Sequence, residues 1–489
     1  MTTSSSSAPS PPSERRDGEG NSAGARAADG SRRLALTLLA AAVILGGALR
    51  FFHLSASDLA PDEAASWAAA AAPGVAEVVR RQAMLNPGKL AAYELLLHGW
   101  IAIAGSGVLA LRTLSALLGI AAIVLIYWAA REVLALGHRE SSVDSIDYTA
   151  AITALIAAVS LTMVRYTREA RMYPLLMVAA LAQTALMLRS HRRGGLANYG
   201  GVSLFTALAI AANFSAIFLV AAQGLWLLLS REGRRNGWPW KSLAALAAGV
   251  IVLLPFFGVA IENSAVALHQ GDLNWISPPA WWSPLSFFNR GTGTLPFPVL
   301  LVLAVWGVVT QWPRLKNSIV FALFWIYGPV LLLFVMSLVV TPLLVERYAL
   351  SSFVPFFILA ALGIRNIPSA PIRGAVLALV IVLSGAHTAA FLIKPPSRQW
   401  THAVDLLRKY PTAKIVVAPP HGANLLRYYL PPGGRYVASE FTPDACAGSG
   451  ILLLWDHALE EPGGKQVQRC RAIFKHVVFN EKDVSILTR

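Results

Sequence analysis

Two neighbouring carboxylates, Asp62 and Glu63, follow the first apolar segment of the chain, in a stretch that runs from Asp58 to Trp67. Paired carboxylates can take a proton from a hydroxyl nucleophile or bind a divalent cation. The same residues have a second explanation, because Pro61 followed by two acidic residues is also a favourable first turn of a helix. The sequence alone leaves both interpretations open.

Basic and aromatic residues recur near the ends of other apolar segments. The set consists of Lys89, Arg112, Arg168, Arg171, Tyr173, Arg347 and Tyr348. Arginine can bind a phosphate through two hydrogen bonds at once, and lysine binds it as a point charge. A carboxylate base beside such cations is the combination that a transferase with a phosphate-linked donor needs.

The composition predicts the elements that carry these residues. Of the 489 residues, 55% are hydrophobic and only 14% are charged, against roughly 25% charged in an average soluble domain. This excludes a disordered protein, a disulfide-rich secreted module and an ordinary cytosolic enzyme, and it indicates a polytopic membrane protein. The net charge of +15 would indicate nucleic-acid binding in a soluble protein. In a membrane protein, basic cytoplasmic loops are the first explanation.

Apolar segments of roughly 20 residues are long enough to cross a bilayer. We predict about eleven such spans, at 34–54, 111–130, 149–165, 172–188, 200–212, 214–229, 242–261, 296–312, 318–340, 349–364 and 374–393. A further apolar segment, 90–108, is placed as a juxtamembrane helix on the outer side. The region 200–229 has an alternative interpretation, a single kinked helix that is broken near Asn213.

With 90–108 outside the bilayer, basic residues collect in alternate loops. The cytoplasmic loops then contain Arg131, Arg139, Arg189, Arg192, Arg193, Arg231, Arg234, Arg235, Lys241, Arg314, Lys316, Arg365 and Arg373. The positive-inside rule favours this orientation, which places Arg32 and Arg33 at the cytoplasmic start of the first span. The acidic pair and its cations then share the outer side.

The chain divides into three regions by composition. Residues 1–33 are rich in Ser, Gly, Ala, Pro and Arg and are predicted to be a disordered cytoplasmic tail. Residues 34–393 form the transmembrane domain. Residues 394–489 alternate short apolar runs with helix-like stretches, which predicts a small extracytoplasmic α/β domain. Both cysteines, Cys446 and Cys470, lie in this last region, where they form either a disulfide or two unpaired buried thiols.

Taken singly, the cations have simpler explanations. Arg112, at the start of a span, is also typical of an interfacial residue whose head group reaches water. The stretch 168–171 also fits a loop with a local ion pair, and Glu346 with Arg347 fits a surface pair. Their shared position on one side of the membrane favours a common site.

The order of these motifs resembles that of a known family. After the first span come Asp62-Glu63, then Asn86-Pro87-Gly88-Lys89 before an aromatic-rich segment, Leu111-Arg112 at the start of the next span, and Arg168-Glu169-Ala170-Arg171-Met172-Tyr173 after a later one. The sequence is similar to GT-C-class integral membrane glycosyltransferases that depend on polyprenyl-phosphate sugars. The nearest branch contains protein O-mannosyltransferases, aminoarabinose transferases and bacterial family 39 proteins. The resemblance covers roughly residues 34–365.

The resemblance implies an all-α GT-C fold in a bacterial plasma membrane. It implies sugar transfer from a polyprenyl-phosphate donor to a lipid, glycan or protein acceptor on the extracytoplasmic face, with inversion in a single displacement. Asp62 is then the catalytic base, and Glu63 supports it. The lipid phosphate and sugar are assigned to Arg112, Arg168, Arg171, Tyr173, Arg347 and Tyr348. Lys89 follows Gly88 where the family often has Asn-Pro-Pro or Lys-Pro, so it is expected to reach the phosphate from a shifted position.

Some relatives in the class use a divalent metal, but no clustered set of His and Asp ligands predicts one here. No nucleic-acid partner is expected, because the basic residues are explained by orientation and phosphate binding. Two other classes compete with the transferase. One is a polytopic transporter or flippase, which would carry charges and broken helices at the bilayer midplane, often in paired repeats. The other is a non-catalytic component of envelope-glycan assembly, with the C-terminal domain as its binding part.

Overall fold

The computed structural model describes residues 17–86, 89–136, 143–229, 234, 239–258, 262, 276–410, 412–419, 422–430, 437–440, 442–459 and 464–489. Most of this chain is helical. The helices up to residue 392 are Asp17–Phe51, Pro61–Ala70, Val75–Leu85, Ala92–Ala104, Val108–Leu134, Val143–Val159, Leu161–Tyr166, Tyr173–Arg193, Leu196–Ala212, Ala216–Leu229, Pro239–Ile251, Ser283–Thr292, Pro296–Val339, Phe353–Arg365 and Ala370–Leu392. A 3₁₀ helix, Glu346–Ser352, precedes Phe353.

Six of the described helices are long and apolar enough to cross a membrane, and five more are apolar but shorter. The chain is therefore a multi-pass membrane protein, while the count of eleven crossings stays a prediction. The end of the predicted span 242–261 lies outside the described residues. Helix 92–104 has 13 residues and is about 20 Å long at the α-helical rise. That is shorter than a bilayer core of about 30 Å, but helix 239–251 has the same length, so the juxtamembrane placement of 90–108 stays a prediction.

The first helix is longer than the sequence predicted. It begins at Asp17, so residues 17–33, which were assigned to the disordered tail, are helical. The last proline of the tail is Pro12, and the residues that follow include several Ala and Arg, which favour helix. Residues 1–16 lie outside the described residues.

The region 200–229 forms two helices that are separated at Asn213, whose backbone is extended (φ −157°, ψ 130°). Ser203 donates to the carbonyl of Ala245, and a Cβ on Gly249 would lie 2.6 Å from Thr206. Helices 196–212 and 239–251 therefore run side by side in the same direction. The helix between them must run back, which favours two passes over a single kinked helix.

The predicted spans 296–312 and 318–340 form one helical segment, Pro296–Val339, with a kink at Leu315. The first half packs on helix 353–365, and the second half contacts the end of the preceding 3₁₀ helix. A Cβ on Gly307 would lie 2.4 Å from the carbonyl oxygen of Leu359, so only glycine allows this approach. In the second half, the carbonyl of Trp325 accepts a hydrogen bond from Ser352.

Charged residues lie at both ends of the bundle. At one end Glu132 pairs with Arg189 and Arg192, and Arg131 pairs with Asp147. These residues belong to the loops that were predicted to be cytoplasmic. The opposite end carries the residues of the predicted site, and we call it the site end.

The C-terminal domain has the predicted α/β character. Its strands are β1 Lys414–Ala418, β2 Val437–Glu440, β3 Ile451–Trp455, β4 His476–Glu481 and β5 Val484–Thr488, and its helices are Gln399–Leu407, Ala423–Tyr429, Pro443–Gly448 and Gly464–Arg471. The sheet order is β2-β1-β3-β5-β4, with β1 parallel to β2 and β3, and β5 antiparallel to β3 and β4. Alternate residues of β1 face opposite sides of the sheet. Ile415 and Val417 belong to the core that includes Trp400, whereas Val416 packs in a separate cluster with both cysteines.

Cys446 and Cys470 form a disulfide, one of the two alternatives that the sequence left open. The bridge links helix 443–448 to helix 464–471 and is buried with Phe474.

Candidate active site at the end of the helical bundle

Five stretches of the chain meet at the site end. They are the first turn of helix 61–70, the segment that runs from Asn86 into helix 92–104, the start of helix 108–134, the turn 167–172 and the 3₁₀ helix at 346–348. The residues before helix 108–134, from 52 to 107, are called the first loop. The structure places all the residues of the predicted site at this end, but it gives them different surroundings.

Asp62 and Glu63 are neighbours with opposite exposure. The side chain of Asp62 is 58% exposed, whereas that of Glu63 is 2% exposed. Pro61 is the first residue of the helix, and Glu63 reaches back to the backbone N–H of Ala60 at 2.8 Å. The helix-start explanation of this motif is therefore correct for Glu63, and it leaves Asp62 on the open side of the same turn.

Glu63 is the centre of a buried network. Its two oxygens accept from Nε and Nη2 of Arg112 at 2.9 and 2.7 Å. They also accept from the backbone N–H groups of Ala60 and Ala170, each at 2.8 Å. Each oxygen thus receives two donors, one from the guanidinium and one from the backbone. The network joins the first loop to helix 108–134 and to the turn 167–172.

All five N–H donors of Arg112 form hydrogen bonds within the protein. Besides Glu63, it donates to the carbonyls of Leu54, Ser57 and Asp58 at 2.7–3.0 Å. A guanidinium has five donors in a fixed plane, so none remains for a ligand. The geometry therefore gives Arg112 the task of shaping the first loop.

Arg168 has a similar structural task. It donates to the carbonyls of Leu49, Arg50 and Phe52 at 2.6–3.0 Å. These carbonyls lie at the end of the first helix, where the backbone has no helical partners. Arg168 thus caps that helix.

Arg171 and Arg347 flank Asp62. Oδ2 of Asp62 lies 3.6 Å from Nη2 of Arg171 and 4.0 Å from Nη1 of Arg347. Arg171 is fully buried, and it donates to the backbone carbonyl of Asp62 and to Ser66 and Asn86. Its Nε is buried without a hydrogen-bond partner among the described residues. We call Asp62, Lys89, Arg171 and Arg347 the acid–cation site.

Lys89 is the third cation of this site. It is partly exposed, and burial together with the charge of Arg171 lowers the pKa of its amino group to about 7, while Asp62 acts in the opposite direction. Lys89 therefore changes charge close to neutral pH. Arg171 and Arg347 stay charged at any such pH.

Two tyrosines extend the site toward the bundle. Tyr173 is buried and packs edge-on against Tyr166. The guanidinium of Arg347 lies 5.7 Å from the ring centre of Tyr348. Tyr348 also lines a narrow cavity together with residues of helices 173–193 and 216–229, among them Leu176 and Leu219. The charged groups thus lie next to a mostly apolar recess.

Some supporting residues had no role assigned from the sequence. Ser66 donates to Glu94 at 2.9 Å, and Asn86 accepts from Arg171. Glu94 is buried, which raises the pKa of its carboxyl group. The sequence signal for Glu94 was that it is the lone carboxylate of the apolar segment 90–108, because charged groups beside lipid are energetically costly.

Glu169 is a second carboxylate of interest. Burial and the nearby Glu63 raise the pKa of its carboxyl group to about 7. The closest cation among its salt-bridge partners is Arg165, with Nε 3.8 Å away. Among the described residues, no group of three or more His, Cys, Asp or Glu side chains is placed to hold a metal ion.

No protein-family model matches the chain, and no curated protein sequence matches it. Solved structures resemble it at low identity. ArnT from Cupriavidus metallidurans bound to undecaprenyl phosphate is 14% identical, with a TM-score of 0.58 over 92% of this chain and 97% of that chain. The apo state of the same protein is 15% identical, with a TM-score of 0.57 and the same coverage. The Archaeoglobus fulgidus oligosaccharyltransferase in its apo form is 11% identical, with a TM-score of 0.56 over 88% of this chain and 70% of that chain.

These likenesses establish the fold. The chain has the GT-C fold of integral membrane glycosyltransferases, with a small C-terminal sheet. The fold class that the sequence predicted is confirmed. What the acid–cation site does within this fold is the subject of a proposal.

Proposed function

We propose that this protein transfers a sugar from a polyprenyl-phosphate-linked donor to an acceptor hydroxyl at the outer face of a membrane. One observation carries the proposal: the exposed carboxylate of Asp62 lies within 3.6–4.0 Å of two arginines, which are themselves largely buried. An exposed base next to fixed cations matches a reaction that removes a proton and releases a phosphate. The GT-C fold shared with ArnT, which was solved with undecaprenyl phosphate bound, supports a polyprenyl phosphate as the lipid part.

The proposed chemistry is a single displacement. Asp62 accepts the proton of the acceptor hydroxyl, and the oxygen of that hydroxyl forms a bond to the anomeric carbon of the sugar. The bond between this carbon and the phosphate oxygen breaks, and the phosphate keeps the electron pair. Arg171, Arg347 and Lys89 stabilise the negative charge that develops on the phosphate. Attack from the opposite side inverts the anomeric configuration.

In this proposal Glu63 keeps the supporting role that the resemblance implies, and Arg112 and Arg168 are given structural roles. The three residues hold the first loop and the turn 167–172 through their hydrogen bonds to protein groups. Tyr348 lines the apolar recess beside Arg347, and the buried Tyr173 packs against Tyr166; both are assigned to the lipid-phosphate side of the site. The sugar and the acceptor class are left for the experiment to identify.

The experiment is a transfer assay in membranes that contain the full-length protein. Membranes are incubated with a panel of polyprenyl-phosphate sugars that carry a radiolabel in the sugar, and the labelled product is isolated. We expect label to move from the lipid to an acceptor only where the protein is present. If the protein instead moves the intact labelled lipid across the bilayer of a vesicle without transfer, it is a flippase and the proposal is wrong.

The donor KM should depend on pH through the charge of Lys89. Its pKa of about 7 means that the cation is present below this pH and is lost as the pH rises through it. The donor phosphodiester keeps its negative charge over this range, so the donor KM should rise above neutral pH. A charge-assisted hydrogen bond of about 1.5–3 kcal/mol sets the size of the effect at about five- to tenfold over two pH units centred on the pKa. The measurement is the donor KM from one pH unit below to one above that value.

The matched variant for this pH effect is Lys89→Arg, since a guanidinium stays charged and should remove the rise in KM. Glu169 also has a pKa of about 7, so Glu169→Gln is the second control and should keep the rise. If Lys89→Arg retains the wild-type pH profile while Glu169→Gln loses it, the titrating group is Glu169 and not Lys89.

A further inference from the structure

One carboxylate of the first loop, Asp58, binds the C-terminal domain through four hydrogen bonds. Oδ2 of Asp58 accepts from the backbone N–H groups of Trp400 and Thr401 at 2.9 and 3.1 Å. Oδ1 accepts from the hydroxyl of Thr401 at 2.5 Å and from that of Tyr429 at 3.3 Å. The carboxylate thus binds the first turn of helix 399–407 and the last residue of helix 423–429.

Backbone contacts surround this carboxylate. The N–H of Asp58 donates to the carbonyl of Ser397 at 2.8 Å. The hydroxyl of Tyr429 also accepts from the N–H of Leu59 at 3.0 Å. Nearby, Tyr428 donates to the carbonyl of Ser106 and packs edge-on against Trp67. The domain is therefore seated on the same loop that carries Asp62.

The backbone of Asp58 also belongs to the Arg112 network. Its carbonyl accepts from Nη2 of Arg112 at 2.7 Å, and the same nitrogen donates to Glu63. Glu63 in turn holds the N–H groups of Ala60 and Ala170. A continuous chain of hydrogen bonds thus runs from helix 399–407 through Asp58 to both sides of Asp62.

We propose that Asp58 is a positioning residue through which the C-terminal domain fixes the first loop, and with it Asp62, for the transfer reaction. The inference rests on the proposed function. It goes beyond that function by giving the soluble domain a part in turnover. Asp58 itself stays out of the chemistry, because its two oxygens are occupied by four protein donors.

Loss of the Asp58 contacts should affect turnover and donor binding differently. Among the described residues, the hydrogen bonds that run from Asp58 through Arg112 and Glu63 do not include Lys89 or Arg347, so the phosphate should still bind when the contact is lost. The orientation of Asp62 depends on the loop, and a displacement of about 1 Å at a reacting group can cost about a hundredfold in rate. Loss of Asp58 should therefore lower kcat and leave the donor KM nearly unchanged.

The test compares Asp58→Ala, Asp58→Asn, Tyr429→Phe and Glu481→Ala in the full-length protein. Asn keeps one acceptor oxygen and should rescue part of the loss, and Tyr429→Phe removes only one hydroxyl if the stronger change prevents folding. Glu481, in β4, pairs at 2.7 Å with His402 of helix 399–407, and among the described residues this pair makes no hydrogen bond to the first loop. Glu481→Ala is therefore the matched control for a general loosening of the domain.

Two measurements distinguish the outcomes. Hydrogen exchange, followed by mass spectrometry, should be faster in peptides that cover Leu59 to Ala70 in Asp58→Ala but not in Glu481→Ala. The kcat of Asp58→Ala should fall about tenfold to a hundredfold. Wild-type exchange and kcat in Asp58→Ala, or an equal loss in Glu481→Ala, would overturn the inference. Absence of transfer by the wild type would instead reject the proposed function, while the exchange measurement still decides whether Asp58 holds the loop.

Discussion

Replacing Asp62 by asparagine is expected to abolish sugar transfer while the protein stays folded. Asparagine has nearly the same size but cannot accept the proton of the acceptor hydroxyl. A positioned general base contributes about 10²–10⁴-fold, so turnover should fall by that factor. The fold should tolerate the change because the Asp62 side chain is 58% exposed, and because its backbone carbonyl provides the 2.7 Å hydrogen bond to Arg171.

The control for this variant is Glu77→Gln. Glu77 is an acidic residue of the same loop, and it pairs with Arg80 and Arg81, which lie on its own helix. It should keep wild-type turnover. The assay is the initial rate of labelled sugar transfer in membranes, normalised to the amount of protein.

Full activity of Asp62→Asn would contradict the assignment of the base. Glu169 would then be the next residue to test, since its pKa of about 7 suits proton transfer near neutral pH. A melting temperature of Asp62→Asn equal to the wild type is also required. If the variant is both inactive and unfolded, its loss of activity follows from the loss of structure and does not support Asp62 as the base. The exposed position of Asp62 would then need another explanation.

The sequence predicted that the residues of the candidate site share one end of the bundle, because topology constrains them. Loops on the same side of a bundle must share one end, so Asp62, Arg171 and Arg347 could be grouped from the order of apolar spans and charges. That grouping needed no knowledge of helix packing. The structure places both arginine side chains within 4.0 Å of one carboxylate oxygen of Asp62.

The sequence could not separate the arginines by task. Arg112 and Arg168 have the same charge and lie at the same end as Arg171. Only the positions of backbone carbonyls decide that Arg112 is fully occupied by the first loop and that Arg168 caps a helix. Such carbonyls carry no sequence signal, since every residue has one.

The C-terminal domain shows the same limit. Short apolar runs predicted strands, and two cysteines in one region offered a single pairing. The mixed strand order, β2-β1-β3-β5-β4, depends on long-range pairing that local patterns do not encode. The contact of the C-terminal domain with Asp58 could not be predicted either, because the sequence does not distinguish an acidic residue four positions before Asp62 from any other loop residue.

The replacement Glu63→Gln, one residue from Asp62, is expected to destabilise the fold, whereas Asp62→Asn is expected to leave it intact. Each oxygen of Glu63 accepts one hydrogen bond from Arg112 and one from the backbone. An amide nitrogen in either place would face two donors and satisfy neither. The side chain of Arg112, only 11% exposed, would also lose its counter-ion. Removal of one partner from a buried pair costs about 3–5 kcal/mol.

The measurement is thermal unfolding of the purified variants in detergent, with the amount of folded protein in membranes as a second readout. Glu77→Gln is again the control, because its ion pairs lie at the surface and should contribute little. A Glu63→Gln protein as stable as the wild type would show that the network around Arg112 does not hold the first loop. The expected contrast is an inactive but stable Asp62→Asn and an unstable Glu63→Gln. That contrast would separate the two carboxylates into one that does chemistry and one that positions it.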